Sequence, residues 1–344
     1  MTPESRSDLL TIAPRVSILL PCRDAKATLN EAVQSLVAQT FPHFEVVAVD
    51  DGSTDSTANS LSAWARRDSR VRVFHTEAQG IVAALNTAAS AAQGELLARM
   101  DADDIAAPDR LEKQVTLLDA TDTLAACGTQ VRYFPRGVVR DGARRYEDWV
   151  NSITTPEDIE RDLFVECPLP HPTLLMRRDA FERVGAYCEA GWPEDYDLVL
   201  RLWQAGYRLG KVAEPLLAWR EGPDRLSRTD PRYSEAAFRC CKVTYLKNRI
   251  QGRRVVICGS GPVGKAFALE LQKQDHLVAA FLDLDPRKIG QTIHGAPVEE
   301  QTRIDEYRDA YFLAAVGSPE ARSEIRSYLS KAGLREVEDF CAVA

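Results

Sequence analysis

Through the first 130 residues, short apolar runs alternate with segments whose apolar positions recur every three or four residues. That alternation is the pattern of strand–helix–strand units in a mostly parallel sheet, so the fold class is α/β. The predicted strands are Val16–Leu20, Val46–Val49, Val71–His75, Leu96–Met100 and Leu124–Val131. Between the first two, Leu29, Ala32, Val33, Leu36 and Val37 recur at helical spacing, and Thr28-x-x-Glu31 fits a capping box at the helix start. Further helices are predicted over Asp55–Arg67, Ile81–Ala92 and Pro108–Leu118, the last with its proline in the first helical position. From Pro135 to Pro172 the periodicity breaks down around Arg136-Gly137, Asp141-Gly142 and Pro168-Leu169-Pro170, which predicts loops over a site. Order returns with a strand at Thr173–Met176, a helix around Asp195–Gln204 ending at Gly206, and a strand near Pro215–Trp219. A polar segment, Glu221–Pro231, and a helical stretch from Tyr233 to about Lys247 follow. After about residue 250 the pattern restarts with a strand, Arg254–Cys258, a glycine-rich turn and a helix: a second, smaller α/β unit.

Composition narrows the function. A chain of 344 residues with 45% apolar content suits two domains rather than one core. A net charge of -8 without long like-charge runs argues against a nucleic-acid partner, which calls for a basic stripe to neutralise phosphates. The eight cysteines, at 22, 127, 167, 188, 240, 241, 258 and 341, form no C-x-x-C pair and read as buried, reduced thiols of a cytoplasmic protein. The start, Met1 to Asp8, lacks a signal-peptide apolar core, and no later stretch has the ~20 apolar residues of a membrane span, so membrane contact is expected to be peripheral.

Three acidic clusters sit after strands or at a helix start, where open α/β sheets bind ligands. Asp50 and Asp51, in Val-Asp-Asp-Gly-Ser-Thr, can accept hydrogen bonds from a uracil imide or ribose hydroxyls; the same residues also suit an Asx turn with Ser53 or Thr54 capping the next helix. Asp101 and Asp103, two apart in extended chain, present carboxylates to one side and suit a hard divalent cation shared with substrate phosphates; an acidic loop capping the helix after Pro108 is the plainer reading. Glu194 and Asp195, in Trp-Pro-Glu-Asp-Tyr-Asp, offer a general base, or carboxylates stabilised by a helix dipole, with Asp197 as a further rival.

Taken together, Val16-Ser-Ile-Leu-Leu-Pro21-Cys-Arg-Asp, Val49-Asp-Asp-Gly-Ser-Thr-Asp55, Gly80 with Asn86, Arg99-Met-Asp-Ala-Asp-Asp104 and Pro193-Glu-Asp-Tyr-Asp-Leu198 resemble family 2 glycosyltransferases of the GT-A fold over residues 14–228. The resemblance implies a nucleoside-diphosphate sugar donor, usually a uridine one, bound by the first half, with an acceptor received by the second. It places Pro21, Asp24, Asp50, Asp51, Gly80, Arg99 and Asp101 on the donor nucleotide, Asp101 and Asp103 on Mn²⁺ or Mg²⁺, and the base at Asp195. It also sets His171 near the site, although a structural histidine fits equally, and puts Arg220 in a segment that in relatives lies over the diphosphate. Trp192 suits either a sugar face or plain packing. Where relatives commonly carry His-Pro this chain has Gly222-Pro223, which removes one ligand from that segment. The expected reaction is an inverting displacement onto a hydroxyl of a glycan or lipid-linked acceptor in bacterial surface-glycan assembly, at the inner face of the membrane.

In the second unit, Gly259-Ser-Gly261-Pro-Val-Gly264 follows a strand, opens a helix and precedes Asp283 by ~20 residues, the context of a dinucleotide-binding turn. With Phe281-Leu-Asp-Leu-Asp285-Pro, it resembles the nucleotide-binding domains of bacterial sugar O-acyltransferases and nucleotide-sugar dehydratases. No Tyr-x-x-x-Lys pair accompanies it, since Tyr328-Leu-Ser-Lys331 is one residue short, so a nucleotide without hydride chemistry, or a bare scaffold, is expected there. The expected division is a GT-A glycosyltransferase domain over 1–230, a helical linker over 231–250 and a Rossmann-like domain over 251–344. Two other functions stand beside the transferase: a non-catalytic nucleotide-sugar-binding or regulatory protein, and an NAD-dependent sugar-modifying enzyme working through the second domain.

Overall fold

The computed structural model describes residues 13–223 and 225–344. The expectation about the start of the chain concerns residues outside that range. In chain order the elements are β1 (Val16–Cys22), α1 (Leu29–Val37), β2 (Phe44–Asp51), α2 (Thr57–Ala65), β3 (Val71–Thr76), α3 (Ile81–Ala91), β4 (Leu96–Arg99), β5 (Ile105–Ala106), α4 (Arg110–Asp119), β6 (Leu124–Phe134), α5 (Asp141–Ser152), α6 (Pro156–Asp162), β7 (Leu175–Arg177), α7 (Arg178–Arg183), α8 (Glu194–Gln204) and β8 (Arg208–Arg220). Then come α9 (Leu226–Thr229), α10 (Glu235–Ile250), β9 (Val255–Cys258), α11 (Pro262–Lys273), β10 (Val278–Asp283), β11 (Thr292–Ile293), β12 (Ala296–Glu300), β13 (Tyr311–Ala314), α12 (Pro319–Lys331) and β14 (Phe340–Ala342).

The chain forms two compact units: one comprises its N-terminal part up to Arg132 with His171–Ala186 and Glu214–Arg220, the other Tyr133–Pro170, Tyr187–Ala213 and Glu221–Ala344. The eight-stranded sheet has the order β3-β2-β1-β4-β7-β6-β8-β5. Every residue of β2 and all but one of β1 are buried, the signature of parallel strands covered on both faces. β1, β2, β3 and β4 are parallel, whereas β7 runs antiparallel to β4 and β6. Parallel direction brings the ends of β1, β2 and β4 to one edge, and with them Asp50 and Asp51 at the end of β2 and the loops that carry Asp24 and the acidic cluster. The second sheet, β11-β12-β10-β9-β13-β14, is parallel apart from its β11–β12 hairpin. Its first turn is tight: a Cβ on Gly264 would lie 1.9 Å from the Gly259 carbonyl oxygen, so α11 can approach β9 only without a side chain there.

Several local expectations are corrected. Thr28 precedes α1 without a capping bond; its backbone is already helical, and its hydroxyl turns to the carbonyls of Ala102 (3.1 Å) and Ala25 (3.3 Å). α4 starts at Arg110 with Asp109 before it, leaving Pro108 outside, its carbonyl held by the Thr40 N–H at 2.8 Å. The stretch 135–172 is not all loop. Asp141-Gly142, read as a turn, forms the first residues of α5, where an aspartate suits the positive helix end. α6 begins with a reciprocal capping box between Thr155 and Asp158, a sequence signal that was there to be read. The strand placed at Thr173–Met176 starts two residues later, and α7 follows it unannounced.

Candidate active site

On β2, successive side chains point to opposite faces, so Asp50 and Asp51 face different surroundings. Asp51 spans the N–H groups of Gln79 (2.7 Å) and Gly80 (2.9 Å), with Arg23 at 3.7 Å. Gly80 (φ +92°) precedes α3, so its place is to fix that carboxylate through the backbone. Asp50 lies beside Cys22 and His75 in the strand register and meets the His75 Nδ1 at 3.2 Å, while its Oδ1 is buried without a partner. A buried acceptor in that state is a place for a donor group. Pro21 lies on β1 opposite Val49. Asp24, at φ +48°, turns its carboxylate onto the Thr54 N–H (2.7 Å), the Thr54 hydroxyl (3.1 Å) and the Asp55 N–H (3.3 Å), which hold it below the usual carboxylate range. The N–H groups of Asp24, Ala25 and Lys26 in turn donate to Ser53, Thr57 and Asp55. Asp24 thus fastens the first loop to the second.

After β4, the carboxylates of Asp101, Asp103 and Asp104 converge, with one oxygen of each within 4.8 Å of the others. Asp104 is the member whose role the sequence did not single out. It is fully buried and accepts the Arg220 backbone N–H at 2.7 Å. Buried Arg99 pairs with half-exposed Asp101. Beneath them, buried Arg110 donates to the Arg99 carbonyl (2.6 Å) and to Gln114 (3.0 Å); burial pulls its guanidinium down to about 10. His171 is buried, and burial with the Arg99 charge keeps it far below the ordinary imidazole range, hence neutral. The Arg220 guanidinium donates to the Asp103 carbonyl (2.6 Å) and pairs with Glu31 on α1.

In the other unit, α8 opens at Glu194 after Pro193. Asp195 is half-buried, and its Oδ1 accepts the Tyr196 N–H at 2.7 Å. Glu194 is buried with both oxygens 2.7–2.8 Å from the Tyr233 hydroxyl, and burial with that carboxylate drives the phenol far above its ordinary range. Asp197 is occupied by the Trp192 indole N–H (2.8 Å), the Tyr245 hydroxyl (2.8 Å) and Arg201 Nε (2.7 Å). Trp192 is thereby tied by its edge, and Asp197 is a structural hub. Nearby, burial and then the Asp195 charge push the Cys167 thiol well up. In the glycine-rich turn, Asp283 accepts from the Ser260 N–H (2.9 Å) and hydroxyl (2.5 Å), Lys288 (3.1 Å) and the Asp285 N–H (2.9 Å). Burial opposes its charge, yet these donors hold it well below the usual range. Gly259 sits at φ +107°, and a Cβ on Gly261 would meet open space. Tyr233, Arg110 and His75 also escaped the sequence reading; no motif marks them, and their roles come from tertiary neighbours.

The model of the family described as glycosyl transferase family 2 matches residues 17–185. The putative glycosyltransferase EpsE of Bacillus subtilis (strain 168) is 31% identical over 226 residues, covering 64% of this chain and 78% of the relative. Among solved structures, residues 1–349 of TarS from S. aureus in complex with UDP-GlcNAc superpose with a TM-score of 0.54 at 19% identity, over 68% of this chain and 67% of that one. The mannosyltransferase PcManGT from Pyrobaculum calidifontis, in complex with GDP-Man and Mn²⁺, superposes with a TM-score of 0.52 at 20% identity, over 95% of this chain and 83% of that one. The chain belongs to glycosyltransferase family 2. It is a glycosyltransferase with a GT-A-like α/β fold, followed by a second sheet in its C-terminal part.

Proposed function

We propose that this enzyme is an inverting, metal-dependent glycosyltransferase that moves a sugar from a UDP-sugar to a hydroxyl of a glycan or lipid-linked acceptor in bacterial surface-glycan assembly. The observation that carries the reading is the convergence of Asp101, Asp103 and Asp104 at the end of β4. Three carboxylates form a hard-oxygen donor set suited to Mn²⁺ or Mg²⁺, ions that fill their remaining coordination positions with phosphate and water. A bound ion there supplies charge stabilisation of the departing diphosphate. The uridine preference and the ion are supported by the ligands in the names of the TarS and PcManGT structures.

In the proposed reaction the acceptor oxygen bonds to the anomeric carbon, the bond from that carbon to the diphosphate oxygen breaks, and the acceptor proton passes to Asp195. Asp195 suits this role better than its neighbours because Glu194 is buried under Tyr233 and Asp197 holds three donors. Asp50 and Asp51, with Pro21 and Gly80, provide the nucleoside end of the donor site, where the buried Asp50 Oδ1 lacks a partner. His171, buried and kept neutral by burial and the Arg99 charge, adds no further cation beside the donor site. Along the chain, transfer is assigned to 1–230, a helical link to 231–250 and a nucleotide or nucleotide-sugar to 251–344, through the N–H groups of Gly261, Val263 and Gly264 at the start of α11 rather than through Asp283, whose carboxylate serves its own loop. Among the described residues no helix is long and apolar enough to cross a membrane. The proposed location is the cytoplasm, at the inner face of the membrane.

The test is release of nucleoside diphosphate from a panel of UDP- and GDP-sugars with Mn²⁺ and with chelator. UDP release that stops on chelation is expected; release from GDP-sugars alone, or release indifferent to chelation, would overturn the donor or the metal assignment respectively.

A further inference from the structure

The acidic loop after β4 is tied down through its peptide carbonyls. The Thr28 hydroxyl holds the Ala102 carbonyl at 3.1 Å, Arg110 holds the Arg99 carbonyl at 2.6 Å, and the Arg220 guanidinium holds the Asp103 carbonyl at 2.6 Å. Arg220 does more than the other two. It ends β8, whose antiparallel pairing with β5 (Ile105↔Ala218, Ala106↔Leu217) brings it alongside the loop. Its own N–H bonds the Asp104 carboxylate at 2.7 Å, and its outer guanidinium nitrogen pairs with Glu31 on α1. One residue therefore grips Asp103 by its backbone, Asp104 by its side chain, and the neighbouring helix.

We propose that Arg220 is the positioning residue of the metal site: it fixes the directions of the Asp103 and Asp104 carboxylates so that they converge before any ion arrives. The inference rests on the proposed metal dependence. Arg220 touches neither sugar nor diphosphate in this role, and its cation is compensated by the half-exposed Glu31 carboxylate. Charge and geometry thus predict opposite effects of its removal. A purely electrostatic role would have Arg220→Ala bind Mn²⁺ more tightly, because a cation beside the site has gone. A positioning role weakens binding, because the Asp103 peptide is released while the backbone bond to Asp104 remains. Lysine cannot replace it, since one ammonium does not span the Asp103 carbonyl and Glu31 in the fixed fork of a guanidinium. Glu31→Gln is a second, milder perturbation: it sits on the outer side of α1, and its loss both loosens the guanidinium and leaves its charge uncompensated.

The experiment is a Mn²⁺ titration of the full chain in the presence of UDP, followed by loss of the free-ion electron paramagnetic resonance signal, beside transfer rates as a function of Mn²⁺. Arg220→Ala is expected to raise the Mn²⁺ dissociation constant at least tenfold and Glu31→Gln about threefold, while the rate of Arg220→Ala at saturating Mn²⁺ returns to within about fivefold of wild type. Tighter or unchanged Mn²⁺ binding in Arg220→Ala would overturn the proposal, as would a loss of rate that saturating Mn²⁺ does not restore. If Arg220→Ala does not fold, Arg220→Lys, which keeps the charge but not the fork, decides: an unchanged Mn²⁺ constant there refutes the positioning role. A wild-type protein that neither binds Mn²⁺ with UDP nor needs it refutes the metal reading itself, a result distinct from wild-type binding with no shift in the variants.

Discussion

Substituting Asp195 and Asp197 by asparagine separates catalysis from architecture within one helical turn. At Asp195 the amide oxygen can keep the Tyr196 N–H, and the half-buried site tolerates a neutral group. The lost charge at the helix start costs about 0.3–1 kcal/mol of stability. Loss of a positioned general base, in contrast, lowers the rate ~10²-fold or more, which is about 2.7 kcal/mol in the barrier. At Asp197 the balance reverses. Both oxygens are occupied, one by Trp192 and Tyr245 and the other by Arg201, and the side chain is 2% exposed. An amide nitrogen must then face either the guanidinium or the indole, donor against donor. Breaking a buried charge pair in this way costs about 3–5 kcal/mol. The assay pairs thermal unfolding with UDP release at saturating donor. Asp195→Asn should unfold within a few degrees of wild type and turn over at no more than about 1% of its rate, whereas Asp197→Asn should unfold markedly earlier. Near-normal turnover by Asp195→Asn, together with an inactive but fully stable Glu194→Gln, would refute the assignment of the base.

Asp103→Ala should reduce the affinity for UDP measured by calorimetry in Mn²⁺ to the value seen without metal; equal affinities with and without Mn²⁺ in wild type would contradict the ion's role. Gly264→Ala drives a methyl group into the Gly259 carbonyl and should cost about 3 kcal/mol in urea unfolding, while Gly261→Ala, opening on empty space, should change stability by under ~0.5 kcal/mol; similar values for the two would be inconsistent with the turn described. His171 is depressed in the fold relative to its unfolded value near 6.5, so below that pH the unfolded chain binds the extra proton and stability falls by up to about 1.4 kcal/mol per pH unit. His171→Gln should flatten the decline measured between pH 7.5 and 5.0, and an unchanged slope would show that the imidazole is not buried neutral.

The acidic clusters were legible because chemistry concentrates at strand ends, and strand ends are marked by an apolar run giving way to Asp, Gly and Ser. β1, β2 and β3 were therefore found within two residues at either end. The roles of individual carboxylates were less legible, since hydrogen-bond partners come from distant segments. Asp24 shows this: nothing near it in sequence reveals that Thr54, thirty residues on, fills its acceptor. Asp104 stood in the acidic motif without a role of its own because its partner, the Arg220 N–H, arrives only after the antiparallel return of β8. α5 escaped for a local reason, as Asp141-Gly142 imitates a turn although the residues that follow keep Glu147 and Val150 buried on one face. Arg110 was illegible by type: a buried guanidinium that holds the Arg99 carbonyl appears in sequence as one more helix charge.

The ammonium of Lys242 has implications for how this protein could be recombined. Buried on α10, it donates to the carbonyls of Val165 (2.7 Å) and Val343 (3.0 Å), while α10 also meets the end of α11 through Thr244 and Gln274 (3.2 Å). A genetic crossover just before β9, where the strand–turn–helix pattern restarts, would separate this lysine from one of its two acceptors and strand a buried cation. A crossover at the Ser234 cap of α10 would part it from Val165 instead, so chimaeras with relatives should fold well only when the segments around residues 165, 242 and 343 come from one parent.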